Sequence, residues 1–367
     1  MMKSKFFSLL ATASILFAGC SSDEIFEEQA TAEKDAIQFS VRLKNPKGIE
    51  MTDGQLKNTG FGVTAFYTEQ QDWTKSSIIP NYMYNQQVSY EKNNWVYSPL
   101  KYWPSRKGDK ISIFAYAPYE KTGETKTGVA LSPNTQTGTP SIVFTTQDSP
   151  SEMVDFVASS IIDKTKNFEA GAVNTIDFNF MHELSRIQFT ATNKTVNSYV
   201  NIKKAKLNFG ENSNIYKTAT YVFSNENNKR GVWNYENGQK FSGDYDLKGI
   251  LYISQDVHIG KGEKPYDVDG CLLKSGDTEL DIFDGKFLFF IPAEGGLGSA
   301  PGAMSVTFEY DIITLDDKLA SGFSSTSHVA TLDVPKGKLE QGINNRIDFA
   351  IDGSSFDIVT TVRTNSF

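Results

Sequence analysis

Cysteine and histidine are scarce in this chain of 367 residues, which has two cysteines, Cys20 and Cys271, and three histidines. Two cysteines are too few for a disulfide-stabilised scaffold. No histidine stands at metal-ligand spacing from another histidine or from Cys271, so the sequence predicts no metal site. It also has no G-x-S-x-G motif and no glycine-rich loop that opens a helix. These absences favour a protein that is not an enzyme and that uses no cofactor.

Basic residues are outnumbered, with 36 Lys and Arg against 44 Asp and Glu, which gives a formal net charge of −8. A protein that binds the phosphate backbone needs a basic surface to replace counterions. The charge balance therefore predicts that nucleic acid is not a partner.

A hydrophobic run long enough to span a membrane is also missing, because the N-terminal apolar run ends at residue 19 and a spanning helix needs about 20 apolar residues. This run follows Lys3 and Lys5 and ends in the sequence LFAGC at residues 16–20. The ending resembles the lipobox of bacterial lipoproteins. It predicts a lipoprotein signal peptide over residues 1–19. It also predicts a surface-exposed protein of the outer membrane, anchored by palmitate-type acyl chains on Cys20. The alternative is an ordinary secretory signal followed by a chance cysteine.

Residues 20–35 are strongly acidic, with six Asp or Glu against Lys34. A segment with so little apolar surface cannot bury itself, so we interpret it as a solvated tether. Acidic residues directly after the lipidated cysteine resemble the signal that sends some lipoproteins to the cell surface. A plain spacer is the alternative interpretation.

The rest of the chain has the alternating pattern of β-strands, most clearly at residues 36–43, AIQFSVRL. Residues 248–254, KGILYIS, are predicted to form one of the later strands, whereas residues 52–60 are predicted to be turn-rich. Short strands with turn signals between them indicate an all-β protein with enough strands for two β-sandwich domains. We place these domains at residues 36–193 and 194–367.

Aromatic residues are concentrated at residues 95–119, which contain Trp95, Trp103 and five further aromatic side chains. The segment begins and ends as strand, and prolines and a polar turn interrupt its middle. Residues 111–117, ISIFAYA, are almost continuously apolar, which predicts a strand that is covered on both faces.

These motifs together resemble the fimbrillin family of outer-membrane lipoproteins, the subunits of type V pili. The matching segments are the Cys20 lipobox, IQFSVRL, WVYSP with KYWP and FAYAPY, MVDFVA at 153–158, FMHELSRI at 180–187 and FFIP at 289–292. The resemblance implies two tandem transthyretin-like sandwich domains. It also implies a pilus subunit that supports adhesion, has other fimbrillin subunits as partners and assembles by donor-strand exchange.

In that mechanism the first strand is removed by proteolysis, and a C-terminal strand of a neighbour fills the groove. The resemblance assigns the groove-filling role to four apolar residues of the first strand: Ile37, Phe39, Val41 and Leu43. It assigns the donor role to Phe356, Ile358 and Val362 in the tail. Arg42 is a possible processing site, and the alternative is that Arg42 simply lies on the polar face of its strand.

A second hypothesis is a monomeric surface lipoprotein that binds a glycan or a host ligand. Trp73 and Trp233 stand in polar segments and could stack on sugar rings. The alternative for both tryptophans is packing in a core or between domains.

Overall fold

The computed structural model describes residues 35–43, 51–276, 279–298, 300–351 and 358–366. The chain divides into two units, Met1–Ala36 and Ile37–Phe367, and the strands and cores described below belong to the second. Within the described ranges, none of the helices is both long enough and apolar enough to cross a membrane.

Strands are the main secondary structure of the described chain, and the prediction of an all-β fold is confirmed. One α-helix, α1 (Asp53–Thr59), lies wholly within the described residues, as do 3-10 turns at Trp73–Lys75 and Pro150–Glu152. The strands, in chain order, are β1 (Gln38–Leu43), β2 (Phe61–Glu69), β3 (Met83–Glu91), β4 (Asn94–Val96), β5 (Lys110–Ala117), β6 (Val129–Leu131), β7 (Ser141–Thr145), β8 (Val157–Thr165), β9 (Thr175–His182), β10 (Ser185–Asn193), β11 (Ser198–Phe209), β12 (Tyr216–Val222), β13 (Val232–Lys240), β14 (Gly243–Asp246), β15 (His258–Ile259), β16 (Tyr266–Asp267), β17 (Cys271–Leu273), β18 (Leu280–Asp281), β19 (Leu288–Phe290), β20 (Met304–Leu315), β21 (Phe323–Asp333), β22 (Ile343–Ile351) and β23 (Ile358–Ser366).

The first sandwich pairs a seven-stranded sheet, in the order β1-β9-β8-β5-β2-β3-β4, with a four-stranded sheet, in the order β13-β12-β7-β6. Phe114 and Tyr116 of β5 pack with Phe144 and Tyr221 of the four-stranded sheet. The opposite face of β5 packs in a separate core that also holds Trp103. Both faces of β5 are therefore covered, as its continuous apolar sequence predicted.

The second sandwich faces a sheet in the order β18-β10-β22-β23 against a sheet in the order β14-β11-β20-β21. Strand β19 also pairs with β10, and β17 also pairs with β11. Phe189, Leu207, Phe308 and Phe349 belong to the common core, in which Phe308 and Phe349 lie edge to face with their centroids 4.7 Å apart.

The boundary that we predicted at Asn193 stays a prediction, but in the described residues four strand pairings join the chain before Asn193 to the chain after it. Strand β10, which ends at Asn193, is parallel to β22 over residues 186–193. Strand β7 of the first half is antiparallel to β12 of the second half. Each sandwich therefore takes strands from both sides of residue 193.

Two local predictions were wrong. Residues 248–254 form a turn and irregular chain rather than a strand, and the neighbouring Ile250 and Leu251 are both buried in the second core. A turn can bury adjacent apolar side chains, whereas a strand sends them to opposite faces. Residues 52–60 contain helix α1, which begins after Thr52, whose hydroxyl accepts a hydrogen bond from the Gln55 N–H at 3.1 Å.

Candidate functional site

The first strand, β1, lies at the edge of the seven-stranded sheet and is parallel to β9. Phe39 lies opposite Ile176, and Leu43 lies opposite Phe180. Within the described part of the chain, β9 is the one strand that pairs with β1. Release of β1 would therefore expose one continuous backbone edge on β9.

The apolar side chains of β1 and of the residue before it face the core. Ile37, Phe39 and Leu43 are buried, while Val41 is half-buried. The Phe39 ring centroid lies 6.0 Å from that of Phe61, 5.3 Å from that of Tyr97 and 5.5 Å from that of Phe178. We use the term first-strand groove for the aromatic surface that β1 covers, formed by Phe61, Tyr97, Phe178 and Phe180.

The start of β1 is also held by the segment between β4 and β5. The Tyr97 hydroxyl donates to the Ile37 carbonyl at 2.8 Å, and the Ile37 N–H donates to the Lys101 carbonyl at 2.8 Å. Burial raises the pKa of Tyr97 to about 12, so its hydroxyl keeps this proton at neutral pH. Part of the aromatic segment 95–119 thus fixes the first strand.

The polar face of β1 points away from this groove. The Ser40 hydroxyl donates to the Asp177 carboxylate across the parallel pair. Gln38 and Arg42 are exposed, and Arg42 lies opposite Asn179. Arg42 therefore has the accessibility that its polar-face position predicted, and its role as a processing site stays a prediction.

The tail strand, β23, is antiparallel to β22 at the edge of the second sandwich. Val362 lies opposite Ile347 and packs, half-buried, on the core. Ile358 is in the strand, but its side chain lies outside the described residues, as does the whole of Phe356. The donor positions in the tail therefore stay predictions.

A charged network holds the tail strand to its neighbour. The Arg363 Nε donates to an Asp348 carboxylate oxygen at 2.7 Å, and Arg363 also pairs with Glu279 at 2.5 Å. Burial alone would raise the pKa of Asp348, but the hydrogen bond from Arg363 and that from Thr190 hold it below its usual range. Sequence reasoning missed this network, since its members come from four separate segments.

Two of the quoted motifs, MVDFVA and FMHELSRI, meet inside the molecule. The Asp155 carboxylate lies 2.6 Å from Nδ1 of the buried His182 and accepts the Met51 N–H at 2.9 Å. The next residue, Glu183, is fully buried and accepts a hydrogen bond from the Gln341 amide at 2.7 Å. These motifs thus join β9 and β10 to distant segments, and their polar residues serve internal hydrogen bonds.

The two tryptophans considered for sugar binding are engaged in packing. Trp73 is buried, and its ring centroid lies 4.6 Å from that of Phe66. Trp233 is half-buried, its ring centroid is 5.4 Å from that of Tyr221, and its Nε1 donates to the Glu183 carbonyl at 2.9 Å. The interpretation of both as packing residues is the one that agrees with the structure.

The described ranges contain neither a candidate metal site nor a reactive thiol. No group of three or more His, Cys, Asp or Glu side chains there could hold a metal ion. Burial raises the pKa of the Cys271 thiol to about 12, so this side chain is not a reactive thiolate. Cys20 lies outside the described residues.

Comparison with known proteins gives consistent similarities. The family model described as "Fimbrillin-like" matches residues 50–263. The chain is 28% identical to the fimbrium subunit Fim1C of Phocaeicola vulgatus over 378 residues, which cover 97% of this chain and 94% of that protein. Its fold is similar to the crystal structure of a fimbrial protein from Bacteroides vulgatus, with a TM-score of 0.72 at 24% identity, over 90% of this chain and 99% of the other.

Proposed function

This chain belongs to the fimbrillin-like family, and from that premise we propose that it is a structural subunit of a cell-surface fimbrium that joins its neighbours by strand exchange. Other fimbrial subunits are its partners, and adhesion is the process that the assembled fimbrium supports. The protein acts through binding surfaces and carries out no reaction.

The observation that supports this proposal is the position of β1. It is a short strand at a sheet edge, and its apolar face fills an aromatic groove. Burial of a large apolar side chain contributes about 1.5–3 kcal/mol, and three such side chains, Ile37, Phe39 and Leu43, are buried here. A strand with these contacts closes the monomer, yet it can leave without breaking the sheet order behind it.

The strand that replaces β1 must reproduce its pattern. It must present apolar side chains at alternate positions to the first-strand groove, and it must pair with the backbone edge of β9. The tail of a neighbouring copy is our candidate donor. Its apolar residues Phe356, Ile358 and Val362 are two and four positions apart, so a strand would place them on one face. Donation requires that β23 leave β22, so the Arg363–Asp348 contact is a barrier to premature exchange.

Processing and anchoring complete the proposal. Cleavage after Arg42 would separate the residues up to 42 from the sandwich and open the groove. Before cleavage, the acyl chains on Cys20 would hold the protein at the outer membrane, because several chains on one residue give stable anchoring.

The test is the N-terminal mass of the protein recovered from native cell surfaces, together with an unboiled denaturing gel. We expect a mature chain that starts at Leu43 and a ladder of high-mass species. Arg42→Ala should retain the full N-terminal segment and lose the ladder, whereas Gln38→Ala, on the same exposed face, should behave as wild type. A lipidated Cys20 with a single monomer band would contradict strand exchange and favour the monomeric lipoprotein.

A further inference from the structure

Strand β21 is an unprotected sheet edge. It pairs with β20 along its whole length of 11 residues, and no other described strand pairs with it. Residues 324–329 are exposed on both faces of the strand. The outer edge of β21 is therefore a long row of backbone donors and acceptors to which no further strand of the described residues is bonded.

The sequence of β21 lacks the usual protection of such an edge. Natural proteins guard long edges with charged side chains, proline or short strand length, because an open edge pairs readily with another strand. Residues 324–332, SSTSHVATL, contain no Asp, Glu, Lys, Arg or Pro. The most exposed large apolar side chain of the strand, Val329, lies near its middle with 71% of its surface accessible.

The other outermost strands of the four larger sheets do have protection, within the described residues. Strands β4, β6 and β18 have at most three residues. Strands β1, β13, β14 and β23 each carry at least one charged side chain, such as Arg42 in β1 and Arg363 in β23. Since β21 is both long and free of charge before Asp333, it is the edge that differs from the rest.

We propose that β21 is an interface for a second copy of this chain, in which two β21 strands pair antiparallel about a two-fold axis at Val329. In this register Val329 lies opposite its own copy, Ser327 lies opposite Thr331, and Ser325 lies opposite Asp333. No like charges face each other, and the most exposed apolar residue is covered. The two five-stranded sheets that contain β21 become one continuous sheet of ten strands.

The surface is self-complementary, which is the requirement for a two-fold interface. The edge of β21 carries no charge that would select a charged partner. The β21 strand of a second copy is extended, neutral and of the same length. A single pair of strands buries little area, so the isolated chain should associate weakly. Many such contacts between neighbouring polymers would add up by multivalency. The interface is independent of strand exchange, because it uses neither β1 nor β23.

Self-association can be measured by analytical ultracentrifugation of the lipid-free chain over a concentration series. We expect a monomer–dimer equilibrium that Val329→Lys weakens by about tenfold or more, since it places two like charges directly opposite each other. Val173→Lys is the matched control, because Val173 is another exposed valine. A chain that stays monomeric at every concentration, or an unchanged equilibrium in Val329→Lys, would overturn the proposal.

Cysteine cross-linking tests the register. Opposite residues in an antiparallel pair have Cβ atoms about 4.5–5.5 Å apart, so Val329→Cys, in a Cys20→Ser background, should form an intermolecular disulfide under mild oxidation. Ser325→Cys should not, because its opposite residue is Asp333. Equal cross-linking of both variants would overturn the register. If a strand from a different subunit covers this edge instead, the isolated chain will show neither the dimer nor the cross-link.

Discussion

Glu183 is a fully buried carboxyl group in the link between β9 and β10. Burial raises its pKa from 4.5 to about 8, although Arg230, 3.8 Å away, and the hydrogen bonds from Tyr221 and Gln341 act to lower it. The folded state therefore binds a proton that the unfolded state releases above pH 4.5. By linkage, the free energy of unfolding contributed by this group falls as the pH rises from about 4.5 to about 8.

We expect Glu183→Gln to remove this pH dependence. Because one pKa unit corresponds to about 1.4 kcal/mol, the stability of the variant relative to wild type should rise by an amount on the order of 4 kcal/mol between pH 4.5 and pH 8. Urea unfolding at a series of pH values measures it. Glu236→Gln, at an exposed position of β13, is the control and should shift stability little. A constant difference between Glu183→Gln and wild type across this range would show that burial does not govern this carboxyl group.

At the scale of the element, β1 is stabilised chiefly by its apolar face. Phe39→Asp would place a charge between Phe61, Tyr97 and Phe178, where the native side chain is only 7% exposed. We expect the unprocessed chain to lose at least about 3 kcal/mol of stability, as for loss of a phenylalanine from a core. Thermal and urea unfolding measure the loss. Gln38→Asp, one residue earlier on the exposed face, should change the stability little. Equal stability of the two variants would contradict the proposal that β1 fills a groove.

Sequence periodicity identified β1 and β5, because alternation and continuous apolarity reflect which faces of a strand are covered. It could not find the partner of β1, since a period of two residues does not distinguish a parallel neighbour such as β9 from an antiparallel one. It placed Trp73 in a polar loop, whereas the folded loop packs this ring on Phe66. It also missed the hydrogen bond from the Tyr97 hydroxyl to the Ile37 carbonyl, because this bond joins a side chain to the backbone of a residue 60 positions away.

At the scale of the whole molecule, each sandwich is built from strands and core residues on both sides of Asn193. Phe156 of the first half lies 5.2 Å from Tyr221, and Phe114 lies 5.6 Å from Phe223, measured between ring centroids. A fragment of residues 36–193 would lose these contacts, leave β7 without β12 and leave β10 without β22. Its edges and aromatic side chains would then face water.

We therefore expect the fragment 36–193 to lack a cooperative unfolding transition, whereas the chain 36–367 should unfold in one transition. Circular dichroism and calorimetry of both would measure this, and a fragment of residues 194–367 serves as the reciprocal control, since it lacks β7 and β10. Independent, cooperative folding of 36–193 would instead support a domain boundary at Asn193. It would also show that the pairings of β7 with β12 and of β10 with β22 are not required for folding. A single transition has a consequence for assembly, because loss of β1 in one sandwich would then lower the stability of both, and a donor strand that fills the groove would restore both together.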